Sequence, residues 1–268
     1  MNGSVDSVIE RIAAAAKYRN IHADTIADVV RQHSARGVDR ANLERQSRLT
    51  LHRVAALYLQ PVGTGQLTKA MRGVGGSPGE LRAFCQTAMR AHFSSAERLP
   101  ELDRFYSEVL RRSGPVATIA DIACALTPFS LPWLRDVTDA RYVGHDLNLA
   151  YVELGNAFFA RWYPDCAVEH RDVVVTPSEV TADLALLLKT YHMIEDRMPG
   201  AALRMVDRLP CRVIAVSFPP RTMTGRPARF TPRLIAGLSA LAGERGWRVE
   251  ECEFATERLV FVHKTDLA

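Results

Sequence analysis

From residue 116 onward, short apolar or β-branched runs alternate with stretches of helical character. The runs cover residues 116–123, 141–146, 167–173, 184–188, 212–218, 249–254 and 259–263. Strands that alternate with helices pair in parallel, because the helix carries the chain back across the sheet, so this rhythm predicts an α/β fold with a mostly parallel sheet. Only residues 255–258 separate the last two runs. That is hairpin length, and the final strand is expected to run antiparallel to its neighbour.

Upstream of this region the texture is helical. Val5, Val8, Ile9, Ile12 and Ala16 recur at helical spacing. A second helix is expected over residues 23–33, with Asp24 or Thr25 at its start and Gly37 past its end. A third, over 39–59, is stopped by Pro61. Residues 63–79 contain Gly73, Gly75, Gly76 and Gly79 and read as a hinge or domain joint. Helices are expected again over 80–91 and 97–112. The organisation that follows is a helical domain over residues 1–112 and an α/β domain over 113–268. Charge is divided in a similar way. Residues 1–95 carry 13 Lys or Arg against 7 Asp or Glu, whereas the rest of the chain carries 21 against 23. A basic helical segment suits a polyanionic partner; an ordinary solvated helical surface is the plainer reading.

Some classes are excluded early. No stretch approaches the roughly 20 apolar residues of a membrane span, and the polar opening of the chain is unlike a signal peptide, so a cytoplasmic protein without a membrane partner is expected. Five cysteines, none at CxxC spacing, argue against a disulfide framework or a metal site.

Ligands on such a sheet gather at the carboxyl ends of the strands. The first run ends in Asp121-Ile122-Ala123-Cys124-Ala125. An acid followed by small residues suits the methionine part of S-adenosylmethionine, since small side chains let the backbone approach the ligand; a plain strand-to-loop turn is the alternative. The second run ends in Asp146-Leu147-Asn148. Asp146 can accept from a ribose diol, and Asp146 or Asn148 can equally cap the next helix. After the third run, Asp172 can accept from the amine of adenine while Val173 packs on the ring, or the pair forms a solvated turn. Three acids at three successive strand ends are more specific than any one of them. With the terminal hairpin they point to a Rossmann-like class I S-adenosylmethionine-dependent methyltransferase with an N-terminal helical domain.

The remaining strand ends face the methyl acceptor. Lys189 follows the fourth run, where it can hold a substrate phosphate or simply cap a helix. Phe218 ends the fifth run, and Arg221 and Arg226 follow. Phe218 can stack a flipped base or belong to the core. Methylation of an exocyclic amine uses an acidic-or-Asn-Pro-Pro-aromatic loop after strand four, and Lys189-Thr190-Tyr191-His192 stands there instead. Carbon-5 methylation of a pyrimidine needs a cysteine in the cleft, whereas Cys211 opens a strand at the wrong end. A ring nitrogen such as guanine N7 needs neither device. Its lone pair carries no proton, so alignment with the methyl group suffices.

A series of landmarks runs in order along nearly the whole chain: Lys17-Tyr18-Arg19 followed by Thr25, Leu51-His52-Arg53-Val54 with Tyr58-Leu59, His92-Phe93-Ser94-Ser95-Ala96-Glu97-Arg98-Leu99, Asp121-Ile122-Ala123-Cys124, Leu187-Leu188-Lys189-Thr190, Ser217-Phe218-Pro219, Gly225-Arg226 and Arg245-Gly246-Trp247. In these the chain resembles the aminoglycoside-resistance 16S rRNA (guanine-N7) methyltransferases of the Arm, Rmt and Sgm kind. The resemblance implies that Arg98 binds the cofactor carboxylate, that Ala123 and Ala125 line the methionine moiety, and that Asp146 holds the ribose. It implies that Asp172 and Val173 hold the adenine and that Lys189 lies in the active site. The N-terminal helices, with Lys17, Arg19, Arg45, Arg48 and Arg53, become a module that docks a monomeric enzyme on 16S rRNA in the 30S subunit. The chain departs from the family pattern at Ala96, Ala125, Thr127, Asn148 and Tyr191-His192. The expected function is methylation of guanine N7 in the decoding site, conferring aminoglycoside resistance. The alternatives are a relative redirected to a small molecule, or a non-catalytic RNA-binding relative.

Overall fold

The computed structural model describes residues 4–54, 63–222 and 225–265. Three helices open the chain: α1 (Val5–Ala13), α2 (Ala23–Ala35) and α3 (Arg40–Val54). Four more follow: α4 (Thr64–Arg72), α5 (Pro78–Arg90), α6 (Phe93–Arg98) and α7 (Leu102–Ser113). The chain then alternates through β1 (Thr118–Ile122), α8 (Leu131–Leu134), β2 (Arg141–Asp146), α9 (Leu149–Trp162), β3 (Ala167–His170), β4 (Ala182–Leu188) and α10 (Tyr191–Arg197). It finishes with α11 (Ala201–Arg208), β5 (Cys211–Phe218), α12 (Thr231–Arg245), β6 (Arg248–Glu253) and β7 (Arg258–His263).

All seven strands join one sheet in the order β3-β2-β1-β4-β5-β7-β6. Strands β1 to β5 are parallel, and β7 lies antiparallel between β5 and β6. The fold is thus the Rossmann-like α/β sheet that the run pattern called for, with the closing strand β7 inside the sheet and β6 at its edge. Winding reverses between β1 and β4, which puts a crevice at their carboxyl ends. Strand β4 shows why its run reads as continuously apolar. Leu184, Leu186 and Leu188 join the core on one face with Phe105, Val109 and Phe158, while Ala185 and Leu187 join the opposite core with Val206 and Leu238. A parallel sheet covered on both faces needs apolar residues at every position.

Two helical readings change. Residues 63–79 hold α4 rather than a hinge. Gly63 and Gly73 bracket it, and its Leu67 and Met71 enter the sheet core. The single helix expected over 97–112 is broken by a short 3-10 turn, Leu99–Glu101, because Pro100 supplies no N–H and cannot sit within a continuous helix. Helix α5, by contrast, starts with a full capping box between Ser77 and Glu80 and Pro78 in its first turn. The tail of the third expected helix, beyond Val54, lies outside the described residues.

Packing does not break at residue 112. Helices α4, α5 and α7 share the core of the sheet, whereas α1 to α3 enclose a core of their own that includes Ile12, Val30, Leu43 and Leu51. This three-helix unit meets the body at the carboxyl edge. Ile21 bridges Asn148, the His22 N–H donates to the Leu147 carbonyl at 2.9 Å, and the Leu149 N–H donates to the Asn20 carbonyl at 2.7 Å.

Local chemistry finishes the sheet. A Cβ on Gly144 of β2 would lie 2.8 Å from Cys124 Sγ, so the absent side chain lets the loop after β1 settle onto β2. On the outer side of β3, the Asn156 amide of α9 donates to the Val168 carbonyl and accepts from the Val168 N–H, both at 2.8 Å. At the opposite edge, β6 carries Arg248, Glu250, Glu251 and Glu253, with Glu251 paired to Arg258 at 2.6 Å.

Candidate functional site

Strain collects at the carboxyl edge. Among the described residues, the non-glycine positions with positive φ are Ala123 (56°), Ala125 (44°) and Lys189 (56°). The first two follow β1 and the third follows β4, on either side of the crevice. Such backbone persists only where its surroundings over-determine it. The Ala125 N–H donates to Asp146 Oδ2 at 2.8 Å, and the Cys124 N–H donates to the His145 carbonyl at 2.9 Å. The Lys189 N–H reaches the Ser217 hydroxyl at 2.9 Å.

Two of the expected acids lie behind these loops. Asp146 is buried. Its second oxygen accepts from the Asn148 N–H at 2.8 Å, so one carboxylate ties the first and second strand loops together. Burial raises its pKa to about 6 despite those backbone donors. Asn148 is the cap of α9, accepting from the Ala150 N–H. Asp121 is buried as well. Tyr142 donates its hydroxyl to Oδ2 at 2.5 Å, while Oδ1 has no partner. Burial pushes this carboxyl up to about 7, against the pull of the Tyr142 hydroxyl and the Arg98 charge.

Arg98 on α6 is fully buried and makes a two-pronged pair with Glu257 from the β6–β7 turn, at 2.6 and 2.9 Å. Burial acts to raise the Glu257 pKa, but the adjoining guanidinium overrides it and holds that carboxyl below its ordinary range. Removing either partner would strand a buried charge, at about 3–5 kcal/mol. Lys189 Nζ meets Glu97 at 2.5 Å. His92 lies beside both cations. Burial, then the charges of Arg98 and Lys189, lower its pKa to about 4, so the ring is neutral near pH 7.

These loops surround two spaces that share Ala123, Thr190 and Met193. The larger is a cavity of about 560 Å³, walled on the sheet side by Ala123, Leu147, Asp172, Val173 and Ile194. His33 of α2, Arg36 just past its end and Thr50 of α3 complete it from the helical unit. The smaller, of about 20 Å³, is lined by His92, Ser95, Arg98, Ala125 and Lys189. The larger volume falls within the range of small-molecule pockets.

The sequence-derived site residues divide into groups. Ala123, Ala125, Val173, Arg98 and Lys189 come together on the walls of these spaces, with Asp121 and Asp146 behind them. Asp172 sits on the wall, but its carboxylate is engaged by Arg197, Thr25 and the Val174 N–H. Phe218 is corrected. It is fully buried and packs edge-on against Tyr191 at 5.4 Å, so no base can reach it. Arg221 and Arg226 are exposed in the loop after β5, where Arg221 Nη1 donates to the Gly225 carbonyl at 3.1 Å. Lys17, Arg19 and Arg45 are exposed. Arg48 is corrected in part. It pairs with Glu44 at 2.9 Å and lies over the Tyr18 ring at 5.5 Å, which makes it a packing residue of the helical unit. The Arg53 side chain lies outside the described residues. Strand-end reading missed Glu257, Arg197 and Thr25, each of which acts on a partner distant in sequence.

Comparison with known proteins bears on the family and the fold. A family model described as Ribosomal RNA methyltransferase (FmrO) matches residues 14–262. A 16S rRNA (guanine(1405)-N(7))-methyltransferase of Frankia casuarinae is 30% identical over 273 residues, covering 97% of this chain and 94% of that protein. One of the same name from Micromonospora rosea is 26% identical, covering 97% of each chain. Among solved structures, the 16S rRNA methylase RmtB superposes with a TM-score of 0.82 at 24% identity, covering 98% of this chain and 99% of that one. The 16S rRNA methyltransferase RmtF, solved with S-adenosyl-L-homocysteine, gives 0.77 at 22% identity, covering 99% and 100%. At these identities the structural likeness speaks for the fold.

Proposed function

Since this chain belongs to the FmrO family of ribosomal RNA methyltransferases, we propose that it methylates N7 of a guanine in the decoding site of 16S rRNA, within the small ribosomal subunit and with S-adenosylmethionine as donor. The observation that carries the reading is the strained carboxyl edge. Ala123 brings a small residue to a cavity of about 560 Å³ that also offers an apolar wall at Val173 and Ile194, and Ala125 does the same for the smaller space beside Arg98 and Lys189. The unpartnered, buried Oδ1 of Asp121 fits a site that completes its hydrogen bonding with a ligand. Protection of the host ribosome from aminoglycosides, a cytoplasmic location and a monomeric enzyme accompany this reading.

The cofactor supplies an electrophilic methyl group on a sulfonium. The chain's own residues bind and orient. Val173, Leu147 and Ile194 would pack the adenosine end. Asp146 retains lone pairs for the ribose beyond the two it gives to the loops. Two guanidinium nitrogens of Arg98 are committed to Glu257, which fixes the remaining one for a ligand carboxylate. Guanine N7 offers an unprotonated lone pair, so no residue need act as base. Lys189, held in its strained turn by Ser217, serves as a positioning charge for the substrate backbone, releasing Glu97 when a phosphate arrives. Exposed Lys17, Arg19, Arg40 and Arg45 give α1 to α3 the surface of a docking module, with Arg221 and Arg226 nearer the acceptor.

The decisive experiment is transfer of labelled methyl to isolated small subunits, followed by mapping of the modified base. A single N7-methylguanine in the decoding site is expected. Label on a free nucleotide alone, or none at all with cofactor bound, would reject the assignment.

A further inference from the structure

The docking unit reaches the cofactor wall through a cluster of side chains. Thr25 Oγ1 of α2 donates to Asp172 Oδ2 at 2.6 Å. Arg197 Nη1 of α10 lies 2.8 Å from the same oxygen and 2.9 Å from Oδ1, and its Nη2 donates to Asp28 Oδ2 of α2 at 2.9 Å. Thr25 is fully buried, Asp172 is 1% exposed and the Arg197 side chain 6%. With the Val174 N–H at 3.0 Å on Oδ1, both oxygens of the carboxylate are engaged by protein groups. A strand-end acid in the place expected for adenine recognition is here spent on holding α2 and α10 together.

The same seam carries the backbone ties from Asn20 and His22 to Leu149 and Leu147, and His33 and Thr50 close the cavity opposite Val173. The wall around the cofactor cavity is therefore built mainly from the sheet and its loops, with His33, Arg36 and Thr50 added by the unit that bears the basic surface. We infer that Thr25 and Arg197 are positioning residues. They hold Asp172, and with it the Val173 wall, in register with the docking unit, so that cofactor affinity and affinity for the ribosomal substrate rise and fall together. The identity of the two ligands rests on the proposed function. Linkage then requires that the coupling act equally in both directions.

The test uses S-adenosylhomocysteine, so that no turnover intervenes, and the full chain. Thr25→Val keeps the shape and removes the donor; calorimetric titration is expected to show about tenfold weaker binding, the loss of one hydrogen bond to a charged group. Thr25→Ser, which keeps the hydroxyl, should restore most of it, and Arg197→Lys, which loses the two-sided fork, should weaken binding as well. Affinity for isolated small subunits is then measured with and without saturating S-adenosylhomocysteine. The wild type should bind about fivefold more tightly with it, and Thr25→Val should bring that ratio close to one. Unchanged cofactor affinity in Thr25→Val, equal impairment by Val and Ser, or a wild-type subunit affinity indifferent to the ligand would overturn the inference. A wild type that binds cofactor but neither binds nor methylates subunits sinks the proposed function instead, and the Thr25 titrations still decide whether the cluster positions the cavity wall.

Discussion

Ala123, Ala125 and Lys189 hold left-handed backbone, which costs a non-glycine residue about 1 kcal/mol or more each. Ala125 is the most informative of them because it stands where related sequences are expected to carry glycine. Ala125→Gly should raise stability by about 1 kcal/mol, read as a higher urea midpoint, and should bind S-adenosylhomocysteine at least as tightly as the wild type; a clear loss of affinity would show that the Ala125 methyl contacts the ligand. Asp121 gives a pH-dependent outcome. Its folded pKa, about 7, lies above the ordinary carboxyl value. The stability it contributes is therefore complete below about pH 4 and is lost as pH rises through 7. Asp121→Asn removes that dependence, so its stability relative to wild type should improve by more than ~1 kcal/mol between pH 5 and pH 8, measured by denaturant unfolding at both. The positions of these residues were legible in the sequence, because an acid followed by small residues at a strand end is a local pattern. Their partners were not. Glu257 is 159 residues from Arg98 and Thr25 is 147 from Asp172, and nothing local in either segment announces a contact over that span.

At the level of elements, the central strands β4 and β5 follow their apolar runs closely because a sheet buried on both faces leaves no polar phase to mislead. The helices follow less well. A cluster of glycines reads as a joint, yet Gly63 and Gly73 merely flank α4, whose Leu67 and Met71 are buried by tertiary packing. Propensity yields there to the core. Gly144 shows the reverse case, a glycine inside a strand with a packing duty. Gly144→Ala would set a methyl 2.8 Å from Cys124 Sγ, and since the loop after β1 must then move, a loss of about 1–3 kcal/mol is expected, with weakened cofactor binding. Adding Cys124→Ala clears the sulfur and should recover part of both, a double-mutant cycle read by urea unfolding and calorimetry.

For the molecule as a whole, the division that matters lies between α3 and α4. A compact three-helix unit carries a cluster of exposed basic residues, and the elements after it pack into the two cores on either face of the sheet. Composition revealed the basic bias of this region but not its inner boundary, since charge density does not report which helices share a core. The structure also separates exposed arginines from one that is tied into the unit. Arg40 and Arg45 are exposed, while Arg48 is spent on Glu44 and Tyr18. Reversing Arg40 and Arg45 to Glu should therefore weaken small-subunit binding by tenfold or more at about 0.1 M salt, flatten its salt dependence, and leave S-adenosylhomocysteine affinity unchanged. Sedimentation at two salt concentrations, paired with calorimetry on the same protein, checks this; unaltered sedimentation would move the docking surface elsewhere.

The two ends of the sheet have a consequence for how this molecule behaves in a crowded solution. A free strand edge is a template on which another chain can add a strand, and repeated addition ends in aggregate. On β3, Asn156 occupies both backbone groups of Val168 with its own amide, mimicking the neighbour that is not there. On β6 the arginine and glutamates confront an incoming strand with fixed charge that it would have to strip of water. One edge is sealed by a counterfeit peptide group and the other by the cost of dehydration, so high concentration alone gives a neighbouring copy little means of lengthening the sheet.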